Sequence, residues 1–192
     1  PIPKDTESII KQAESVLENE KKEATISPDT GHKNGQEWLC HQDGQWQSRG
    51  EWKEGRKSGP WTWWFDNGQK IKEGSFRNGI AEGQWTSWYR NGQKDAEGSR
   101  KNGYKDGKWL VWGKNGQLFL ESNYEDNDRA GKWVQWHGNG HKDSEGSYEK
   151  GKLEGPWTYW DNEGLLSAKK LKNFGNLFLE VINGEVERLH PS

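Results

Sequence analysis

Residues 83–106 read GQWTSWYRNGQKDAEGSRKNGYKD, and the chain returns to this phrase again and again. Trp85 belongs to the series Trp61, Trp85, Trp109, Trp133 and Trp157, with a step of 24 residues each time. Trp64, Trp88, Trp112, Trp136 and Trp160 form a second series with the same step. Gly59, Gly83, Gly107, Gly131 and Gly155 stand two places before the first tryptophan of each unit. Asn67-Gly68, Asn91-Gly92, Asn115-Gly116 and Asn139-Gly140 follow the second, decaying to Glu163-Gly164. Glu73-Gly74, Glu97-Gly98 and Glu145-Gly146 hold a further offset, with Glu121-Ser122 as the exception. Self-similarity at a fixed period defines a repeat architecture.

Each unit holds two short runs separated by turn signals, the grammar of strand, turn, strand, turn. Asn-Gly suits a type I′ hairpin turn, which needs φ > 0 at both central residues. The pattern therefore predicts a strand over 84–90, a turn at 91–92, a returning strand over 93–100 and a link over 101–106. Glycines recur too often for a helix of about ten residues. Strand side chains alternate between faces, so two tryptophans three apart point to opposite sides of the sheet. Equivalent residues two strands on should recur about every 9–10 Å, giving one tryptophan row per face. The glycines beside them offer places where a ring can lie flat on backbone.

The pattern G-x-W-x-x-W-(Y/F)-x-N-G-Q-K-x-x-E-G-S-(Y/F)-x-N-G resembles the MORN repeat, in a Trp-rich variant common in bacteria. Residues 59–82 and 83–106 carry it best, and the resemblance covers roughly residues 35–175. It implies a mainly β fold: antiparallel hairpins stacked into an elongated, twisted single sheet used for binding. Bacterial proteins similar to it carry an antitoxin-like label. Arg100 departs from the aromatic of Phe76, Tyr124 and Tyr148, and Asp126-Asn127 departs from the Asn-Gly of 78–79.

Leu, Ile, Val and Phe together supply 29 of the 192 residues, about 15%, below the roughly 20% line that accompanies disorder. The companion condition of high net charge fails, since the formal charge is −2. Fourteen tryptophans add burial of about 150–250 Å² for each ring, and a repeat sheet spreads that burial between neighbours. The near-neutral charge argues against nucleic acid as a partner. Cys40 is the one cysteine, so no internal disulfide forms. No apolar run approaches the ~18–20 residues of a membrane-spanning helix. The sequence starts at Pro1 and contains no methionine, consistent with Met removal or a trimmed N-terminus. Removal of a signal segment would place the protein in a bacterial periplasm or cell envelope.

Three segments follow from reading along the chain. Residues 1–34 form a helix and a linker: Ile9, Ile10, Ala13, Val16 and Leu17 recur at helical spacing over 4–22, with Asp5 or Thr6 as N-cap. The linker is 23–36. Residues 35–175 hold the repeats: a degraded first unit at 37–58 with Trp38 one place out of register, four full units and a partial fifth. Residues 176–192 suggest a closing hairpin through Asn183-Gly184, shielding the open edge of the sheet.

Reactive chemistry finds little support. His137 and His141 are four apart but flank a turn instead of riding a helix, so the metal-binding rationale is absent. Cys40 and His41 are adjacent in a strand, face opposite ways and lack an orienting acid, which reads as a semi-buried thiol in a worn repeat. Glu125-Asp126-Asn127-Asp128 concentrates carboxylates without the full calcium-loop pattern. Lys70/Glu73, Lys94/Glu97 and Lys142/Glu145 read as charges on a solvated strand. No cofactor or metal site and no enzyme is expected.

The tryptophan rows carry the functional weight. Trp61, Trp85, Trp109, Trp133 and Trp157 are expected to pack the sheet, and Trp64, Trp88, Trp112, Trp136 and Trp160 to line a binding groove. The leading reading is a scaffold module binding a protein partner, or a second copy of itself, through this surface. The alternative is a membrane-associated role: a lipid headgroup or cell-envelope glycan held by exposed tryptophans. Choline-binding modules are similar in their Gly-Trp repeats, but they repeat nearer 20 residues and lack Asn-Gly-Gln-Lys.

Overall fold

The computed structural model describes the backbone of residues 25–26, 32–173, 177–182 and 185–189, and the side chains of 32–168. The expected N-terminal helix over 4–22 lies outside the described residues. Two compact units, Pro1–Ile80 and Ala81–Ser192, divide the chain.

In the first unit, β1 (Thr25–Ile26), β2 (Lys33–Cys40), β3 (Trp46–Lys53), β4 (Arg56–Trp64) and β5 (Lys70–Arg77) pair antiparallel, each with its sequence neighbours. β1 and the start of β2 occupy part of the stretch expected as linker. In the second unit the same meander runs through β6 (Ile80–Trp88), β7 (Lys94–Lys101), β8 (Tyr104–Trp112), β9 (Leu118–Glu125) and β10 (Asp128–Trp136). It continues through β11 (Lys142–Glu149), β12 (Lys152–Trp160), β13 (Leu166–Asn173), β14 (Leu177–Ile182) and β15 (Glu185–Leu189). The last two strands pair antiparallel with each other, and the turn expected at Asn183-Gly184 lies outside the described residues. Among the described residues there is no helix.

The turn chemistry differs from expectation in an informative way. Asn102 (φ 52°) and Gly103 (φ 86°) both adopt left-handed backbone, the condition for a type I′ turn. The supposed link over 101–106 is therefore the tight hairpin, and its flanking strands leave only two residues between them. Asn78-Gly79, Asp126-Asn127 and Lys150-Gly151 repeat this turn. Asp126-Asn127 thus fills the same role as Asn-Gly, with two short polar residues tolerating φ > 0. At Asn91-Gly92 only Gly92 has positive φ, 85°. There, Gly92 N–H donates to Tyr89 O at 2.9 Å and Tyr89 N–H to Gln93 O at 2.8 Å. That is a three-residue loop, a type I turn closed by a left-handed glycine.

Asn91 is chosen for its side chain. Its Oδ1 accepts from Gln93 N–H at 3.1 Å, and its Nδ2 donates to Lys114 O in the next hairpin at 2.9 Å. Asn139 reaches Asn162 O likewise at 2.6 Å. The tight turns are linked in the opposite direction, by backbone: Gly103 N–H donates to Ala81 O and Gly151 N–H to Arg129 O, each at 2.9 Å. Consecutive hairpins are thus joined at both ends of their strands.

Candidate functional site

The first tryptophan row is the core. Trp61, Trp109, Trp133 and Trp157 are buried and Trp85 is half-buried. The rings of Trp61, Trp109 and Trp157 cross to the preceding strand and lie on a glycine. A Cβ placed on Gly50, Gly98 or Gly146 would come within 2.1, 2.3 and 2.4 Å of Trp61, Trp109 and Trp157 respectively. The indole N–H then donates to the next carbonyl: Trp61 to Glu51 O at 3.1 Å, Trp109 to Ser99 O at 3.0 Å, Trp157 to Ser147 O at 3.2 Å. The Glu-Gly step of the repeat exists to seat this row. Ser122, the exception in the sequence, is paired with both Trp109 and Trp133 and is itself buried. In the worn first unit Glu37 holds the corresponding place, ion-paired with Lys33. A one-residue offset flips a strand side chain to the other face, so Trp38 packs instead on Trp46, with centroids 4.9 Å apart.

The second row ends the even strands from β4 to β12. Trp64, Trp88, Trp112, Trp136 and Trp160 are all half-buried, on the face opposite the first row by strand alternation. A register shift beside each of them explains the Lys/Glu spacing: Trp88 pairs with Lys94, but Ser87 pairs with Ala96. The extra residue, Asp95, brings Lys94 and Glu97 to one face although they are three apart. Lys94 Nζ donates to Glu97 at 2.6 Å and lies 5.3 Å from the Trp112 ring centroid. Lys142 repeats this with Glu145 at 2.7 Å and Trp160 at 5.4 Å. Lys70 and Glu73 pair at 2.6 Å. On this face, then, cations near the rings are neutralised by carboxylates. Leu118 stands in the lysine place opposite Trp112, and Val134, two before Trp136, is buried.

Residues with reactive potential serve the fold. His41 Nε2–H and His137 Nε2–H donate to the carbonyls of Trp64 and Trp160, each at 3.0 Å, and Tyr89 Oη–H to that of Trp112 at 2.8 Å. These three residues hold one repeat position and tie each hairpin to the next. His141 Nδ1–H reaches Asn162 O at 3.1 Å. Cys40, expected semi-buried, is exposed, because it ends β2 at the place the second-row tryptophan holds elsewhere.

The sequence reading passed over a row of cations on the first-row face. Lys57 Nζ lies 4.2 and 4.8 Å from the Trp61 and Trp63 centroids, and Lys72 Nζ 4.7 Å from Trp63. Burial, then repulsion from Lys72 and Lys33, holds the Lys57 pKa below the ordinary lysine value. In the second unit Lys105 lies 4.6 Å from Trp109 and 4.7 Å from Tyr124, and Arg129 4.6 Å from Trp133 and 5.1 Å from Tyr148. Ala81 holds this repeat position in the intervening unit, and Arg100 supplies a guanidinium 5.8 and 5.5 Å from Trp85 and Trp109. Arg100 is therefore a displaced cation as much as a lost aromatic. Aligning 57, 81, 105, 129 and 153 at the repeat step was the signal that could have found the row.

An open antiparallel hairpin array built on a fixed step defines the class as a β-repeat protein. Residues 57–78, 81–102 and 105–126 match the family model described as MORN repeat variant. Over those three consecutive stretches the chain is similar to MORN repeats. Such repeats are generally associated with binding and scaffold roles, toward proteins or membrane lipids, and are generally non-catalytic. Comparison with curated proteins returned no match. Among the described residues no helix is long and apolar enough to cross a membrane.

Proposed function

We propose that the chain is a non-catalytic binding module that presents its sheet to a protein partner, with Trp64, Trp88, Trp112, Trp136 and Trp160 as the contact row. The observation that supports this best is the unequal burial of two rows kept at one step. In the first row Trp61, Trp109 and Trp157 are buried and bonded to backbone carbonyls, while every tryptophan of the second row is half-buried. Aromatic rings of this kind dominate binding energy at protein interfaces, and repeat arrays spread them over a long surface. The non-catalytic reading is supported by the histidines, whose ring nitrogens are bonded to backbone carbonyls.

The test is affinity capture from lysate of the source cells with the intact protein beside a Trp88→Ala/Trp112→Ala variant. One protein captured by the first and lost by the second supports the reading. Capture of the same set by both removes the row from the interface. If neither captures protein and the intact chain binds liposomes or a glycan array, a lipid or glycan ligand replaces the protein partner.

A further inference from the structure

We propose that the first-row face of the second unit, along its tight turns, is an anion site that takes an acidic, extended segment of a partner protein. This surface is distinct from the second tryptophan row and stands or falls without it.

On the second-row face Lys94, Lys142, Lys108 and Lys132 each find a glutamate, within 2.6–3.8 Å. Across the sheet, among the described residues, Arg100, Lys105 and Arg129 have no carboxylate partner. Arg100 Nη1 donates to Gly103 O at 2.8 Å and Arg129 Nη1 to Tyr148 Oη at 3.0 Å. Their other N–H groups are left for an anion. The carboxylates of Asp95 and Asp143 are engaged at the opposite ends of their strands, by Ser87 Oγ at 2.9 Å and Ser144 Oγ at 3.2 Å. A chain with 30 acidic residues and a net charge of −2 thus keeps one row of cations uncompensated.

Arg100 and Lys105 are directly paired across β7 and β8, and Tyr124 is paired with Arg129 across β9 and β10. All four flank tight turns, so the row crosses the strands along one edge. The rings beneath hold the cations in place by cation–π attraction of about 0.5–1 kcal/mol at exposed sites. Lys105 and Arg129 occupy equivalent places two strands apart, a spacing of about 9–10 Å. A polyproline II segment rises about 3.1 Å per residue with three residues per turn. Carboxylates at every third residue of such a segment fall about 9.3 Å apart, in step with the two cations. The aromatic rings between them suit its flat, apolar flank. A membrane surface would instead meet the whole chain's negative charge, and two discrete cations supply only about 1 kcal/mol each toward it.

The probe is the peptide (Glu-Pro-Pro)4, with (Gln-Pro-Pro)4, inorganic phosphate and phosphatidylserine vesicles as parallel arms, titrated against the full chain. Saturable, salt-sensitive binding of the Glu peptide is expected, with at least ~10-fold weaker binding of the Gln peptide and of phosphate. Lys105→Gln/Arg129→Gln should weaken the Glu peptide by about 10-fold or more. Arg129→Lys, which keeps the charge, should stay within about 3-fold, and Lys108→Gln, on the opposite face, should leave the affinity unchanged. Equal binding of both peptides, no binding of the Glu peptide, or insensitivity to the double glutamine variant overturns the proposal. Vesicle binding without peptide binding overturns it in favour of a membrane ligand.

Discussion

Gly98→Ala is the sharpest test of how the sheet is held together. The new Cβ would stand 2.3 Å from Trp109 Cδ2 and 2.5 Å from Cε2, atoms of a rigid ring that is only 6% exposed. No rotation of a flexible side chain relieves this, so the ring must lift from the strand. Lifting forfeits the indole bond to Ser99 O, a net contribution of about 0.5–1.5 kcal/mol. It also disturbs packing around the ring, at about 1–3 kcal/mol for an overfilled site. Reduced unfolded-chain entropy offsets about 0.4–1 kcal/mol. The balance is a loss of about 1–4 kcal/mol. Urea denaturation followed by tryptophan fluorescence and circular dichroism measures it, with Gly138→Ala as the control, since nothing lies within 4 Å of a Cβ there. In a Trp109→Ala background the same glycine substitution should cost under about 1 kcal/mol, because its obstacle is gone. A Gly98→Ala protein as stable as the control, or an undiminished cost in that background, refutes the seating of the row on glycine.

Tyr89→Phe removes the hydroxyl bond to Trp112 O and should cost about 0.5–1.5 kcal/mol in the same denaturation assay. Asp126→Asn/Asn127→Gly converts a strained left-handed pair to Asn-Gly and should stabilise by about 0.5–1 kcal/mol, read as a raised melting temperature. Lys57 has a folded pKa below the ordinary lysine value of 10.5, so the folded state releases its proton first. Stability from this group is therefore lowest where Lys57 is charged, and rises with pH from the folded pKa up to 10.5. The stability advantage of Lys57→Met over the native chain should shrink across that window, and an advantage that grows with pH contradicts the assignment.

The repeat and the two opposed tryptophan rows were legible in the sequence because a fixed step exposes every equivalent position at once. The glycine seat was legible too, from Glu-Gly recurring beside the tryptophans. Turn type was not. Asn-Gly appears at both ends of the strands, and the same dipeptide makes a tight turn at 102–103 and a three-residue loop at 90–92. Only the count of residues between strand partners separates them. The Lys/Glu pairs read only as charges on a solvated strand, since a bulge at Asp95 leaves no compositional mark. The cation row was hidden for another reason. Its members, Lys57, Arg100, Lys105 and Arg129, come from two different repeat positions, and one cation crosses to the neighbouring strand where Ala81 vacates its place.

Hydroxyl-radical footprinting read tryptophan by tryptophan, on the free protein and on the protein with its captured partner, tests the central claim most directly. The claim is that one row holds the sheet and the other is offered to a partner. In the free protein Trp61, Trp109, Trp133 and Trp157 should react slowly, and Trp64, Trp88, Trp112, Trp136 and Trp160 several-fold faster. Partner binding should then slow the second row alone. Equal reactivity of the two rows in the free protein, or a second row whose rates do not change when the partner binds, contradicts the account.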